Sequence, residues 1–291
     1  MFKGTATALI TPFTEDGIDW EGLEKLVDFQ LENGINALLF LGTTGEPPTM
    51  TTEEKDELMK WAVKKVKHRV PVIFGTGSNC TKTAIENTIH AAQLGADAAL
   101  VVTPFYNKCT QGGLYEHYKA ICEKSPIPVI AYNVPGRTGV NILPETLKRL
   151  TTIDNLMGIK DACGKVEQIV KMCEAVKGTH VNYYSGDDEL VLEAMQNGGV
   201  GLISVASNIV PKETKSIVDA CLNNDYAKAQ EIFNKYKNFF AGLFYEVNPI
   251  PAKYAASKIG ICKNILRLPL TPMTKENSDK LDKLMKELNI I

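Results

Sequence analysis

The chain has 291 residues, of which 44% are hydrophobic and 23% charged, and its formal net charge is −2. This length suits one large domain or two small ones with a sizeable core. The near-neutral charge disfavours a nucleic-acid-binding protein, which needs a basic surface, and no apolar run reaches the ~20 residues that a membrane-spanning helix requires.

Short apolar runs alternate with longer amphipathic runs along the chain. Such apolar runs are typical of parallel strands buried on both faces. The predicted strands are residues 4–11, 37–41, 71–75, 98–103, 128–133, 156–160, 181–185 and 200–205. The predicted helices between them include residues 20–32, 52–67, 82–94, 113–123, 144–150 and 166–176.

Eight strand–helix units in about 250 residues predict an α/β fold of the TIM (β/α)8 barrel class. An open doubly wound sheet is the alternative, since strand counting alone does not exclude it. After the eighth strand the pattern predicts helix throughout residues 211–291, which exceeds what one barrel unit needs. We therefore expect a barrel over residues 1–224 and a small C-terminal helical extension over residues 225–291.

The seven cysteines and four histidines do not form a metal-binding or disulfide pattern. The cysteine number is odd and no pair has CxxC spacing, which favours free thiols in a reducing compartment. The first residues lack a signal-peptide cleavage pattern. We expect a cytoplasmic protein without a metal site.

Lys160 ends the predicted sixth strand and is the first candidate for chemistry. Burial there disfavours the charged ammonium and lowers the lysine pKa, leaving more free amine at neutral pH. A free amine attacks a ketone and forms a Schiff base. The structural alternative is a lysine whose stem packs while its amino group reaches solvent.

Barrel enzymes place their chemistry at the carboxyl ends of the strands, so residues at the other strand ends are expected to face one pocket with Lys160. Tyr132 is suited to move protons to and from an adduct. Thr43 is suited to hold that tyrosine, and Thr44 to help bind a carboxylate. Arg137 is suited to bind a second carboxylate with its planar fork. A core tyrosine and a plain turn are the alternatives for Tyr132 and for residues 43–45.

Two further strand ends are predicted to be structural. Asp187 and Asp188 resemble a carboxylate pair, but adjacent residues after a strand point in different directions. We predict a helix N-cap there. Residues 75–79 form a glycine-containing turn without the full GxGxxG pattern, which disfavours a dinucleotide site.

Four segments together resemble a known family. The segments GTTGE at residues 42–46, TPFY at 103–106, YNVPGRT at 132–138 and GIKD at 158–161 are similar to motifs of the pyruvate-dependent class I aldolases of the N-acetylneuraminate lyase type. The resemblance covers nearly the whole chain, and four motifs in order are far more specific than any one of them. Within the family it favours the branch that condenses pyruvate with aspartate semialdehyde.

The resemblance implies a role for each of eight residues. Lys160 would form the imine with pyruvate, while Thr44 would contact its carboxylate. Tyr132, Thr43 and Tyr106 would form a proton-relay triad. Arg137 would bind the carboxylate of aspartate semialdehyde. Gly186 and Ile203 would line the pocket through their backbones.

The resemblance also implies an assembly and a reaction. Family members are usually homotetramers, dimers of tight dimers, in which Tyr106 would reach into the neighbouring subunit's pocket. The product would be 4-hydroxy-tetrahydrodipicolinate, in diaminopimelate and lysine biosynthesis. No metal or organic cofactor would be required, because the protonated imine is the electron sink.

The chain departs from the family's lysine-inhibited members at their inhibitor cleft. Pro47, Pro48 and Lys55 replace polar or histidine positions, Thr83 replaces a glutamate and Phe105 replaces a tyrosine, while Asn79 fits that pattern. A lysine ligand would meet a like charge and lose acceptors. We therefore expect weak or absent feedback by lysine.

Two alternative functions stay open from the sequence. The first is another pyruvate-dependent aldolase, such as N-acetylneuraminate lyase or a 2-keto-3-deoxy sugar-acid aldolase, which shares the lysine and the tyrosine. Arg137 disfavours it, because sugar-acid lyases generally lack an arginine there. The second is a catalytically idle barrel that senses an oxo acid, which the complete lysine–tyrosine–threonine set disfavours.

Overall fold

The computed structural model describes residues 2–291 and contains a single closed barrel of eight parallel strands. The strands are β1 (Gly4–Ala8), β2 (Ala37–Phe40), β3 (Val72–Gly75), β4 (Ala98–Val102), β5 (Val129–Asn133), β6 (Leu156–Asp161), β7 (Asn182–Ser185) and β8 (Gly201–Ser204). Strand β8 closes on β1, where Ala6 lies opposite Ile203. The predicted TIM barrel is therefore confirmed, and the open doubly wound sheet is excluded.

Helices follow the strands and cover the outside of the barrel. They are α1 (Trp20–Glu32), α2 (Thr52–Val66), α3 (Thr81–Gln93), α4 (Gln111–Lys124), the one-turn α5 (Pro135–Thr138), α6 (Pro144–Leu150), α7 (Val166–Val176), α8 (Val191–Gln196) and α9 (Pro211–Leu222). Local signals start several of them. Thr51, for example, caps α2 in a reciprocal capping box with Glu54.

Successive side chains of each strand point alternately into the barrel interior and outward toward the helices. On β1, Ala6 and Ala8 belong to the interior cluster, whereas Thr7 faces outward and donates a hydrogen bond to Gln30 of α1 at 2.6 Å. Small residues on β1, β2 and β4 leave room in the interior for larger side chains such as Tyr132 and Tyr184. The interior is thus a packed core, and the functional residues lie at the carboxyl ends of its strands.

The C-terminal part differs from the continuous helix predicted for residues 211–291. Besides α9 it contains α10 (Tyr226–Gly242), α11 (Ile250–Lys258) and α12 (Lys275–Glu287), with irregular segments at 243–249 and 259–274. The prediction failed because it ignored local breakers. Gly260 lies just beyond the end of α11 with a left-handed φ of 78°, which is typical of a helix end. Pro269 would have lain in the interior of the predicted helix, where proline removes a backbone hydrogen bond and clashes with the preceding turn.

The extension packs onto the barrel through the same core. Phe239, Phe240, Leu281 and Met285 belong to one hydrophobic cluster with residues of α1, α2, β2 and β3. The last helix, α12, therefore has one buried face, which carries Leu281 and Met285. The division at residues 224 and 225 stays a prediction. No helix within residues 2–291 combines the length and apolar composition needed to cross a membrane.

Candidate active site

Strand register places Lys160 between two tyrosines. On β6 it lies opposite Tyr132 of β5 and Tyr184 of β7. Its Nζ atom is 4.6 Å from the centre of the Tyr132 ring, and the residue is only 4% exposed. The structural alternative required the Lys160 amino group to reach solvent at the barrel rim, and it does not.

The surroundings of Lys160 favour its neutral form. Burial lowers the pKa of Lys160 to about 8; Asp188 and Asp187 oppose this shift and Arg137 adds to it. Loss of hydration is the main cause, because an ammonium buried among apolar groups loses more than distant carboxylates return. About a tenth of Lys160 is therefore free amine at pH 7, far more than for an ordinary lysine, and this is the form that attacks a carbonyl.

The two aspartates after β7 have different hydrogen-bond partners and different structural roles. Asp187 accepts a hydrogen bond from the Glu189 backbone at 3.0 Å and caps a single helical turn, so the predicted N-cap is confirmed. Asp188 is buried and accepts from Ser204 Oγ at 2.5 Å and from the backbone N–H groups of Val205 and Ala206. It thereby fixes the end of β8 beside Lys160. No local pattern around Asp188 indicates this second role.

Gly186 and Ile203 complete the surroundings of the lysine. A Cβ atom at Gly186 would lie 2.9 Å from Lys160 Cε and 3.1 Å from the Asp161 carbonyl oxygen, closer than such atoms pack. Glycine is therefore required for the lysine to hold its position. Ile203 is fully buried in the barrel interior, in the cluster that contains Tyr132 and Tyr184.

Tyr132 and Thr43 are also brought together. Burial raises the pKa of Tyr132, whereas the charge of Arg137 and a hydrogen bond from the Thr43 hydroxyl lower it. At neutral pH the phenol is thus protonated and has a hydroxyl neighbour. That is the arrangement required of a group that passes a proton back and forth.

A residue of the extension joins the two predicted carboxylate binders. Asn248 donates through Nδ2 to Thr44 Oγ1 at 3.0 Å, and its backbone oxygen accepts from Arg137 Nη2 at 2.9 Å. Asn248 is 5% exposed and more than 100 residues from either partner in sequence. The sequence carried no periodicity or spacing from which this contact follows.

A cavity of about 650 Å³ opens beside these residues. Thr43, Tyr132, Arg137 and Asn248 form part of its wall. Lys160 contacts the wall through Tyr132, and Thr44 contacts it through Asn248. The cavity is large enough for two small carboxylic acids side by side.

Tyr106 is the one predicted residue that does not join the others within the chain. It is 92% exposed, has a left-handed φ of 70° and lies outside the cavity wall. The expectation that all strand-end residues face one pocket is wrong for it, because the loop after β4 turns its side chain outward. The other seven predicted residues are neighbours at the carboxyl end of the barrel.

Buried polar contacts outside the barrel hold β5 and β6 in register. Asp161 accepts from Asn133 Nδ2 at 2.8 Å and from the Tyr183 hydroxyl at 2.9 Å. Since Asp161 follows Lys160 and Asn133 follows Tyr132, this network fixes the two strands where the lysine and the tyrosine stand side by side.

Known proteins match this chain over its whole length. The model of the dihydrodipicolinate synthetase family matches residues 1–288. The chain belongs to this family. A 4-hydroxy-tetrahydrodipicolinate synthase from Alkaliphilus oremlandii is 51% identical, with 100% of both chains covered.

Solved structures of the family have the same fold. The dihydrodipicolinate synthase from Thermotoga maritima superposes with a TM-score of 0.98 at 40% identity, covering 100% of both chains. The chloride-inhibited dihydrodipicolinate synthase from Acinetobacter baumannii, solved in complex with pyruvate, superposes with a TM-score of 0.97 at 44% identity and the same coverage. The sequence matches and the structural superpositions therefore point to the same family.

Proposed function

We propose that this chain is a lyase that condenses pyruvate with L-aspartate-4-semialdehyde through a Schiff base on Lys160 and releases 4-hydroxy-tetrahydrodipicolinate. The observation that carries the proposal is the buried, largely desolvated Lys160 beside Tyr132 at the carboxyl end of the barrel. The family and the full-length relatives named as synthases support it. The reaction belongs to diaminopimelate and lysine biosynthesis.

The first half-reaction uses the neutral amine of Lys160. Nζ attacks the keto carbon of pyruvate, water leaves, and a protonated imine forms. Tyr132, with Thr43 as its hydroxyl neighbour, supplies and removes the protons. Thr44 holds the pyruvate carboxylate. Loss of a methyl proton then gives a neutral enamine, because the protonated imine nitrogen accepts the electron pair of the broken C–H bond, and no metal or organic cofactor is needed.

The second half-reaction joins the two substrates. Arg137 binds the carboxylate of aspartate semialdehyde, and the enamine carbon attacks the aldehyde. The amine of that substrate then displaces Lys160 from the imine carbon, which closes the ring and frees the lysine. Gly186 and Ile203 leave space around the lysine for these steps.

Arg137 favours this reaction over cleavage of a sugar acid. Its guanidinium lies in the cavity wall and is tied to the Asn248 backbone, where a second carboxylate can be bound. The test is to assay the purified protein with pyruvate plus aspartate semialdehyde and, in parallel, with N-acetylneuraminate. Turnover of the first pair alone supports the proposal; cleavage of the sugar acid alone would contradict it.

The rate of imine formation is expected to rise about tenfold per pH unit up to pH ~8 and then level off, because only the deprotonated Lys160 attacks and its pKa lies at about 8. The measurement is the rate at which sub-saturating pyruvate becomes trappable by borohydride on Lys160 between pH 5.5 and 10. A rate that still climbs at pH 10, as for an ordinary lysine, would contradict the assigned environment.

We also propose a homotetramer, a dimer of tight dimers, in which Tyr106 completes the neighbouring site. Its exposure on a loop outside its own cavity supports this. A cytoplasmic location is part of the same proposal, supported by seven unpaired cysteines.

Complementation between two inactive variants tests the role of Tyr106. Tyr106→Phe and Lys160→Ala chains are each expected to be nearly inactive. When they are co-expressed, each mixed dimer gains one complete site, and about a quarter of the wild-type activity should return. If the mixture stays as inactive as its components, Tyr106 acts within its own chain or not at all. Sedimentation of the wild-type protein gives the assembly size.

Lysine is expected to inhibit weakly or not at all. Pro47, Pro48 and Lys55 line the cavity wall, so an incoming lysine meets a like charge there. Asn79 already donates to the Phe105 carbonyl at 3.2 Å. The measurement is the initial rate with increasing lysine at fixed substrates. Strong inhibition at submillimolar lysine would refute the expectation.

A further inference from the structure

The amide of Asn248 has one buried atom without a partner. Its Nδ2 atom donates to Thr44, but Oδ1 accepts no hydrogen bond from any residue in the described chain, 2–291. A buried acceptor left unpaired is costly, and such groups in native structures call for an explanation, often a ligand. Asn248 also lies in the cavity wall. Among the buried unpaired side chains of residues 2–291, it is the only one in that wall.

The other acceptors with charge in the wall are already occupied. Glu46 forms a buried ion pair with Lys253, and Asp56 accepts from His90 Nε2 at 2.8 Å. A cationic group entering this cavity therefore finds no carboxylate free to receive it among the described residues of the wall. Asn248 Oδ1 is the acceptor that remains.

The position of Asn248 matches one chemical group of the second substrate. The ammonium and the carboxylate of an amino acid stand on the same carbon, so their binding groups must be neighbours. Arg137, which binds the carboxylate in the proposed function, is hydrogen-bonded to the Asn248 backbone at 2.9 Å. The Asn248 side chain then extends from that point to Thr44.

We infer that Asn248 Oδ1 accepts a hydrogen bond from the ammonium group of the amino-aldehyde substrate, and that it thereby selects this substrate over aldehyde acids that lack an amine. The inference rests on the proposed function, which assigns the carboxylate to Arg137. Asn248 thus recognises the amine, while its other contacts align Arg137 and Thr44.

The experiment compares two aldehydes that differ only in the amine. Aspartate semialdehyde carries it, and succinate semialdehyde has hydrogen in its place. One equivalent of pyruvate is loaded on the enzyme, either aldehyde is added, and the reaction is quenched with borohydride. Mass spectrometry of the Lys160 peptide reports how much pyruvate imine has been consumed. The half-saturating concentration of each aldehyde follows from its titration.

In Asn248→Ala, the half-saturating concentration of aspartate semialdehyde should rise about 10- to 100-fold more than that of succinate semialdehyde. Asn248→Asp has nearly the same shape, keeps an acceptor and loses the Nδ2 donor, so it should retain the preference for the amine. Asn234→Ala, an exposed position on α10, is the matched control and should change neither value.

The outcomes separate this inference from the proposed function. Equal losses for both aldehydes in Asn248→Ala, or loss of the amine preference in Asn248→Asp, overturn the inference and leave Asn248 as an alignment residue only. Absence of a borohydride-trapped pyruvate on Lys160 in the wild type overturns the proposed function instead. Because Asn248→Asp preserves the packing, a failure of the alanine variant to fold still leaves a decisive comparison.

Discussion

Replacing Lys160 with alanine is expected to lower kcat/KM for the condensation by at least about 10³-fold and to abolish the borohydride-trapped pyruvate adduct. The reason is that the neutral amine is the nucleophile of the first step, and the protonated imine that it forms is the electron sink of the second. In the proposed function, Tyr132, Thr44 and Arg137 bind and orient the substrates without help from Lys160, so pyruvate binding should weaken far less than turnover.

Two further variants separate the nucleophile from the charge. Lys160→Arg keeps a positive charge beside Tyr132, but a guanidinium stays protonated and does not form the imine, so this variant should be as inactive as the alanine one. Lys171→Ala removes an exposed lysine on α7 and should leave activity unchanged. The proposed reaction would be wrong if Lys160→Ala turned over substrate as fast as the parent.

The fold was predictable because the barrel repeats one pattern. Each buried strand is a short apolar run between amphipathic helices, and all eight were placed within a few residues of their observed bounds. The largest error was at β1, which ends at Ala8 rather than at residue 11. There Asn208 donates through Nδ2 to the Ala8 oxygen at 2.8 Å and accepts through Oδ1 from the Ile10 N–H at 3.1 Å. The side chain of a residue far along the chain thus replaces a neighbouring strand as the hydrogen-bond partner of this backbone.

The candidate site was predictable only where topology alone sets it. Parallel strands of a barrel bring their carboxyl ends together, so Lys160, Tyr132 and Arg137 follow from counting strands. Asn248 and Lys253 did not follow, because they belong to the extension and meet the barrel through loops whose path no local pattern encodes. The outward turn of Tyr106 does not follow from counting strands either, because it depends on a backbone conformation that tyrosine rarely adopts; only the family resemblance implied it.

Those missed contacts include a charged pair under the active-site loop. Lys253 of α11 and Glu46, the last residue of the GTTGE segment, form an ion pair whose two side chains are both fully buried. The Lys253 ammonium also lies 4.3 Å from the centre of the Phe13 ring, and Arg267 covers the same ring at 4.1 Å. Burial lowers the pKa of Lys253, and Glu46 opposes that shift.

Replacing Lys253 with methionine is expected to lower the free energy of unfolding by about 3–5 kcal/mol. Methionine fills a similar volume, so the loss comes from leaving the Glu46 carboxylate buried without its cation rather than from a cavity. The measurement is chemical denaturation at neutral pH. The matched control is Lys275→Met, which breaks an exposed pair with Asp279 on α12 and should have little effect.

The double variant Glu46→Gln with Lys253→Met distinguishes an uncompensated charge from lost packing. Removing both charges should recover a large part of the stability lost in Lys253→Met alone, because the stranded carboxylate is gone. If the double variant is as unstable as the single one, packing of the Lys253 stem accounts for the loss instead.

Activity should follow stability in these variants for a structural reason. Glu46 ends the short loop that carries Thr43 and Thr44, and its left-handed backbone at φ 56° is held by the pair with Lys253. Releasing that end frees the two threonines beside Tyr132 and Asn248. We therefore expect Lys253→Met, assayed where it is still folded, to lose kcat more than pyruvate affinity, because the proton relay needs tighter alignment than carboxylate binding does. An unchanged kcat in the folded variant would show that the loop keeps its shape without the ion pair.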